Sequence, residues 1–395
     1  MKIYCDQIYT LEGCVDKVLV IENGKIIAIK EKEANEMIDV DCTGYRIIPG
    51  IIDTHNHGTM GYGLMGNSVD KEKEVRGYLK GLASQGVTAC FPTADHAYFK
   101  TISKIAKTTV DGAKIVGIHS EGPYLNRVGE KGIDTGHPDI DINYIQGMVD
   151  DADGLLKLVA IAPEIPGAKE AIRYLNSRGV RCAFAHSNMN FNEAFDSFNW
   201  GISIITHTAN VMSGIHHRNM GGLGAALLND HVYNELICDG LHVSNEMIEM
   251  MLRIKNNAFE KFMMISDNVP MAGAPVGRYE LPGMFEVNID EKGYCLSDTG
   301  RLCGSTMPVI KGIANLEQNL NIPMEKIIKM SSSNQAKVYA IPNKGYLAVG
   351  MDADLAVIDN EYNVVQTYSE GRKVFDIEKD RNLFNIEFMK KHNLN

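Results

Sequence analysis

Residues 49–58 read PGIIDTHNHG. Ile51 and Ile52 have strand composition, and the polar end of the run carries His55 and His57. Side chains at i and i+2 of a strand point to the same face, so both imidazoles can meet one cation. Taken alone, such a pair next to a turn is weak evidence for a site. Its weight comes from the rest of the chain, where the same construction recurs. Glu121 closes the apolar part of GIHSEGPYLN (117–126), and His186 that of VRCAFAHS (180–187). His207 ends ISIITHT (202–208), and Asp267 ends FMMISDN (262–268). Buried strands rarely finish on imidazoles and carboxylates unless those groups converge, and convergence of this donor set points to divalent-metal hydrolytic chemistry.

Candidate strands end near His57, Pro92, Glu121, Pro163, His186, His207, Asp239 and Asp267. Between most of them lie helix-patterned segments such as 71–85, 99–112 and 245–261. Strands alternating with helices over residues 50–345 predict an α/β fold, a TIM (β/α)8 barrel, whose active site gathers at the C-terminal strand ends. The flanks differ. Residues 1–49 and 346–395 alternate apolar and polar positions around turns at Asn23-Gly24, Thr43-Gly44, Asp359-Asn360 and Glu370-Gly371. They are expected to pair into one small β-sandwich domain. A Gly- and Pro-rich excursion at 269–305 reads as a hairpin, either folded over the barrel mouth or lying idle on the surface.

The chain of 395 residues has ordinary hydrophobic content, 45%, and a net charge of −11. That charge argues against a nucleic-acid or anionic-membrane partner, which needs a basic surface. The eight cysteines include no CxxC pair and read as reduced, mostly buried thiols. Residues 1–10 lack the apolar core of a secretion signal, and no apolar run is long enough to span a bilayer. A cytoplasmic location is expected.

Within the candidate site, Glu121 can bind one ion or bridge two. His119, two residues earlier, reads better as a core histidine satisfied by hydrogen bonds. His186 and His207 complete a mixed nitrogen and oxygen set suited to Zn²⁺ or Fe²⁺. Asp267 is the candidate general base, with a structural capping role as the alternative. His242, in CDGLHV (238–243), is either a substrate contact or a solvated loop histidine. The segment 206–224, with Asn210, His216, His217 and Arg218, carries a weak phosphate signal from a Gly-rich turn and an arginine.

Laid out in order, PGIIDTHNHG, HSEGPYLN, AHSN, THTANVM, DGLHV, SDNVPMAGA, LCGS and GYLAVGMDADLAVID resemble the N-acetylglucosamine-6-phosphate deacetylase family of the amidohydrolase superfamily over nearly the whole chain. The resemblance implies that Glu121, His186 and His207 hold the main metal, and that His55 and His57 can hold a second. It makes Asp267 the acid/base and implies substrate contacts from Asn210, Val211, His242 and a neighbouring subunit's Arg218, hence a homodimer. One or two divalent ions per subunit, Zn²⁺ or alternatively Fe²⁺, and an N-acetylated sugar phosphate substrate follow from it. The implied reaction gives glucosamine 6-phosphate and acetate. The chain departs from the family pattern at Thr208, Ala209 and Val211, and at Asp134, where many members carry a sugar-contacting histidine. Here His137 lies three residues further on. Other N-acyl amino sugars, N-acyl amino acids, or a non-catalytic scaffold are the competing readings. A cyclic-amide hydrolase with a bridging lysine fits less well, because the fourth strand ends on Glu164.

Overall fold

A computed structural model describes residues 1–66, 68–126, 138–280 and 286–394. The barrel strands are Ile51–Asn56, Val87–Pro92, Ile118–Glu121, Leu156–Ile161, Arg181–Phe184, Ile202–Ile205, Tyr233–Ile237 and Phe262–Ile265, referred to as first to eighth. The third to eighth form one continuous parallel sheet, while the first and second pair in parallel beside Lys114–Ile115. Backbone hydrogen bonds join the two pieces. Ala94 N donates to His119 O at 3.2 Å, linking second to third, and Asp267 N donates to His55 O at 2.9 Å, linking eighth to first. The fold is TIM-barrel-like. Every residue of the first two strands is buried, as expected where helices cover the outside of a parallel sheet and side chains fill its interior.

Helices follow the strands with local signals that fix their starts. Asp70 accepts from Lys73 N to open Lys71–Ala83, and Asn190 with Glu193 forms a capping box at the head of Phe191–Phe198. These contacts satisfy N–H groups that a helix start leaves without partners. The helical pattern over 245–261 does not form one helix. It breaks into Asn245–Ile254 and Ala258–Lys261, with Asn257 in the left-handed region at φ +50°. Lys255 ends the first piece and buries its ammonium on Ala226 O at 2.8 Å and Asn229 O at 2.5 Å. Two carbonyls of a neighbouring helix end compete successfully for a residue that the periodicity assigned to a continuous helix.

The two ends of the chain meet in one eight-stranded sheet. Its path runs Arg372–Asp376, Val364–Ser369, Leu355–Ile358, Arg46–Pro49, Lys2–Thr10, Gly13–Glu22 and Lys25–Lys30, with Val40–Asp41 beside Lys2–Thr10. The Asn23-Gly24 hairpin forms as expected, with both residues at positive φ. Arg46–Pro49 pairs antiparallel with Leu355–Ile358 and passes through Gly50 directly into the first barrel strand. Gly50 is required there, because a Cβ would lie 2.1 Å from Thr88 Oγ1.

The excursion after the eighth strand is a three-stranded meander, Gly277–Glu280, Glu286–Ile289 and Cys295–Ser297, where a single hairpin was expected. Its apolar face encloses Tyr279, Val287 and Ile289 against Phe388 of the last helix, Ile386–Lys391. That shared cluster needs the third strand to be closed. All eight cysteines are free, and Cys14 alone is exposed.

Candidate metal centre

The first barrel strand carries His55, with His57 one residue past its end, and the third ends on Glu121. His186, His207 and Asp267 lie two residues beyond the ends of the fifth, sixth and eighth strands. Each of these three residues has a left-handed backbone, at φ +46°, +27° and +50°. Such a conformation costs a non-glycine residue roughly 1–2 kcal/mol and persists where the surroundings over-determine it. Here they do. Asn126 N donates to His186 O at 3.1 Å, Asn210 N to His207 O at 2.9 Å, and Ser305 N to Asp267 O at 2.8 Å. The kinks turn the side chains in from the rim, something that strand alternation alone would not achieve.

The Glu121 carboxylate stands in the middle. Its Oε1 lies 2.9 Å from His207 Nε2 and 3.3 Å from His186 Nε2. Its Oε2 lies 3.1 Å from His57 Nε2 and 3.6 Å from His55 Nε2. Asp267 Oδ1 is 3.3 Å from His57 Nε2 and 3.4 Å from His55 Nε2. The ligand atoms thus fall into two groups that share Glu121: His55, His57, Glu121 and Asp267 in one, and Glu121, His186 and His207 in the other. Within each group they lie inside 4.8 Å of one another.

The electrostatics are those of a cation site. Burial pulls His55 down, but Glu121 and Asp267 outweigh it and hold the imidazole well above its usual 6.5. His57 is likewise disfavoured by burial, yet Asp267 and Glu121 raise it to about 9. Against the same burial, His55 and the other imidazoles hold Glu121 well below the carboxylate range, and His55 and His57 lower Asp267. The carboxylates demand positive charge in their midst. The donors suit a divalent ion: imidazole nitrogens with carboxylate oxygens, and no thiolate. His55 Nε2 is buried without a hydrogen-bond partner, and the two Nε2 atoms of His186 and His207 approach to 3.1 Å. Both features fit nitrogens arranged around an ion.

The other expected residues are placed unequally. His242 is half-buried, with its side chain largely covered. Its Nδ1 bonds Asp239 Oδ2 at 2.8 Å, and its Nε2 has no hydrogen-bond partner. Asn210 and Val211 follow His207 in a tight turn, in which Asn210 Nδ2 donates to His207 O at 3.2 Å and Val211 has φ +46°. Arg218 is exposed at the tip of a small hairpin closed by reciprocal bonds between His216 and Asn219, and the structure does not bring it to the cluster. His137 and Asp134 lie outside the described residues. His119 meets half of its expectation. It is buried and Nδ1 bonds Thr93 Oγ1 at 3.1 Å, but Nε2 has no partner and the ring stands edge-on to His55 at 4.4 Å.

Two carboxylates beside the site, Asp53 and Glu235, were not singled out from the sequence, and Glu164 was noted only as the end of the fourth strand. Asp53 accepts from Ser266 Oγ at 2.6 Å, Glu235 faces His55 Nδ1 at 3.3 Å, and Glu164 takes Ser187 Oγ and Asn188 N, both at 2.7 Å. Each sits in or at the end of an apolar strand. A charge inside such a run is the signal that marks Glu235, which lies in mid-strand where no rim residue is expected.

A barrel whose C-terminal rim gathers imidazoles and carboxylates defines the class of metal-assisted amidohydrolases. The amidohydrolase family profile matches residues 46–383. The N-acetylglucosamine-6-phosphate deacetylase of Vibrio furnissii is 32% identical over 370 residues, covering 91% of this chain and 90% of its own. The N-acetylgalactosamine-6-phosphate deacetylase of Escherichia coli O157:H7 is 30% identical over 383 residues, covering 93% and 97%. The crystal structure of N-acetylglucosamine-6-phosphate deacetylase from Pasteurella multocida superposes with a TM-score of 0.85 at 27% identity, covering 94% of this chain and 98% of that one. The chain belongs to the amidohydrolase family, in its N-acetylglucosamine-6-phosphate deacetylase branch.

Proposed function

We propose that the protein removes the acetyl group of N-acetylglucosamine 6-phosphate, releasing acetate and glucosamine 6-phosphate. The observation that carries this reading is the shared Glu121 carboxylate, with an imidazole pair on each of its oxygens and Asp267 beside one pair. His55, His57, Glu121, His186 and His207 would hold one or two divalent ions, Zn²⁺ in the first place and Fe²⁺ as the alternative. Such an ion supplies Lewis acidity toward an amide carbonyl and lowers the pKa of water.

Asp267 is ionised and half-buried at the rim. It takes the proton of the attacking water and passes it to the departing amine nitrogen. His242 is held by Asp239 on Nδ1, which leaves Nε2 to donate toward the acetyl oxygen as negative charge develops there. Asn210 and Val211 bind the phosphate in the turn after the sixth strand, Arg218 completes the pocket of a neighbouring subunit in a homodimer, and His137 contacts the sugar. Residues 1–49 and 346–395 form a small sandwich domain beside the barrel at 50–345, in a cytoplasmic enzyme. Among the described residues no helix is long and apolar enough to cross a membrane.

The test is acetate release by metal-analysed protein from N-acetylglucosamine and N-acetylgalactosamine, each with and without the 6-phosphate. The galactosamine arm is included because the Escherichia coli relative acts on that epimer by name. Turnover confined to unphosphorylated sugars would overturn the substrate assignment. In parallel, Asp267→Asn is expected to keep its metal and lose turnover by about 10²–10⁴-fold. Near-normal kcat in that variant would remove Asp267 from its role.

A further inference from the structure

Glu235 lies in the middle of the seventh strand, completely buried. Burying a carboxylate costs several kcal/mol unless it is compensated, and no lysine or arginine pairs with it among the described residues. Its partners are the first barrel strand. Oε2 lies 3.3 Å from His55 Nδ1, and Oε1 accepts from Thr54 Oγ1 at 3.3 Å. Beneath a rim where apolar side chains would fill the interior more cheaply, the chain places an anion on the far side of one imidazole.

A neutral imidazole carries its proton on one nitrogen. As a metal ligand His55 must be neutral, and with Glu235 accepting from Nδ1 its remaining proton sits there and Nε2 presents a lone pair. That Nε2 is the buried atom without a hydrogen-bond partner, 3.4 Å from Asp267 and 3.6 Å from Glu121. Without Glu235 the balance reverses. Two carboxylates on the Nε2 side would draw the proton to Nε2 and occupy the atom that a cation needs. His207 shows the contrast, since its buried Nδ1 has no partner.

We propose that Glu235 is a positioning residue that selects the tautomer of His55, keeping Nε2 free to bind a cation at the His55–His57 side of the cluster. The role rests on the metal-dependent reading above. It acts through a hydrogen bond, so a neutral acceptor of the same shape should serve, whereas an apolar residue of similar volume should not.

The experiment measures Zn²⁺ affinity by chelator competition in wild type, Glu235→Gln and Glu235→Met, together with the d–d spectrum of the Co²⁺-loaded proteins. Glu235→Met should bind 10–100-fold more weakly, as is typical when a ligand's outer hydrogen-bond partner is lost, with an altered Co²⁺ spectrum. Added metal should restore its turnover. Glu235→Gln should match wild type in affinity and spectrum. If Glu235→Met does not fold, ¹⁵N–¹H correlation of imidazoles in Zn²⁺-loaded wild type still decides. The role requires a protonated Nδ1 on His55, and a bare Nδ1 defeats it. Wild-type protein that takes up no Zn²⁺ removes the metal reading and this role with it. Wild type that takes up Zn²⁺ while Glu235→Met binds it as tightly overturns the role of Glu235 alone.

Discussion

Asp239 and His242 show how one contact sets the chemistry of a largely covered side chain. Burial pulls the imidazole down, but the Asp239 carboxylate at 2.8 Å more than offsets it and holds His242 above 6.5. The shift carries a sign. The folded imidazole binds its proton more tightly than the unfolded one, so its contribution to stability is fully present below pH 6.5 and is lost as the pH rises through the folded value. In Asp239→Asn that anion is gone while burial remains and only Asp267 and the Gly304 backbone still raise the imidazole, so the His242 pKa should fall. A histidine NMR titration checks this, and an unshifted midpoint would show that the pair is not electrostatically coupled. Gly58, directly after the histidine pair, makes a related point about space. A Cβ there would lie 2.5 Å from Tyr62 O, so the backbone behind the ligands tolerates no side chain.

Among the elements, the break between Asn245–Ile254 and Ala258–Lys261 is the clearest case of tertiary contacts overruling local pattern. The buried ammonium of Lys255 satisfies Ala226 O and Asn229 O at the end of the helix Gly221–Leu228. Lys255→Met keeps the stem volume but leaves those carbonyls buried without a donor, so the fold should lose about 1–3 kcal/mol. Urea denaturation measures the loss. The meander of Gly277–Glu280, Glu286–Ile289 and Cys295–Ser297 teaches the same lesson in the opposite direction. Its strands were legible as β composition, but its third member and its packing on Phe388 depend on a helix about ninety residues further along the chain.

At the scale of the molecule, end sheet and barrel are tied by Arg46 of the sheet. It is nearly buried and pairs with Glu317 on the helix Val309–Leu320 at 2.8 Å. Tyr362 also donates to Glu317, and the guanidinium lies 4.4 Å above its ring. Glu317→Gln leaves the arginine without its counter-charge. Glu317 is partly exposed, so the expected cost is about 1–3 kcal/mol, below that of breaking a fully buried pair. If this contact couples the two units, calorimetry of the variant will show the end sheet melting before the barrel. A single unshifted transition would show that other contacts carry the coupling.

In its sequence alone, this chain discloses its barrel and its candidate metal-binding residues for one physical reason. Parallel strands buried on both faces must be written as apolar runs, so any polar residue that ends such a run stands out. His55, His57, Glu121, His186, His207 and Asp267 were all found that way, and the structure brings all six together. The left-handed turns that aim three of them, the split of the ligands across the two oxygens of Glu121, and the carboxylate of Glu235 behind His55 were not visible in advance. Those depend on distances between strands far apart in the chain, and spacing along a polypeptide carries no record of them until the barrel closes.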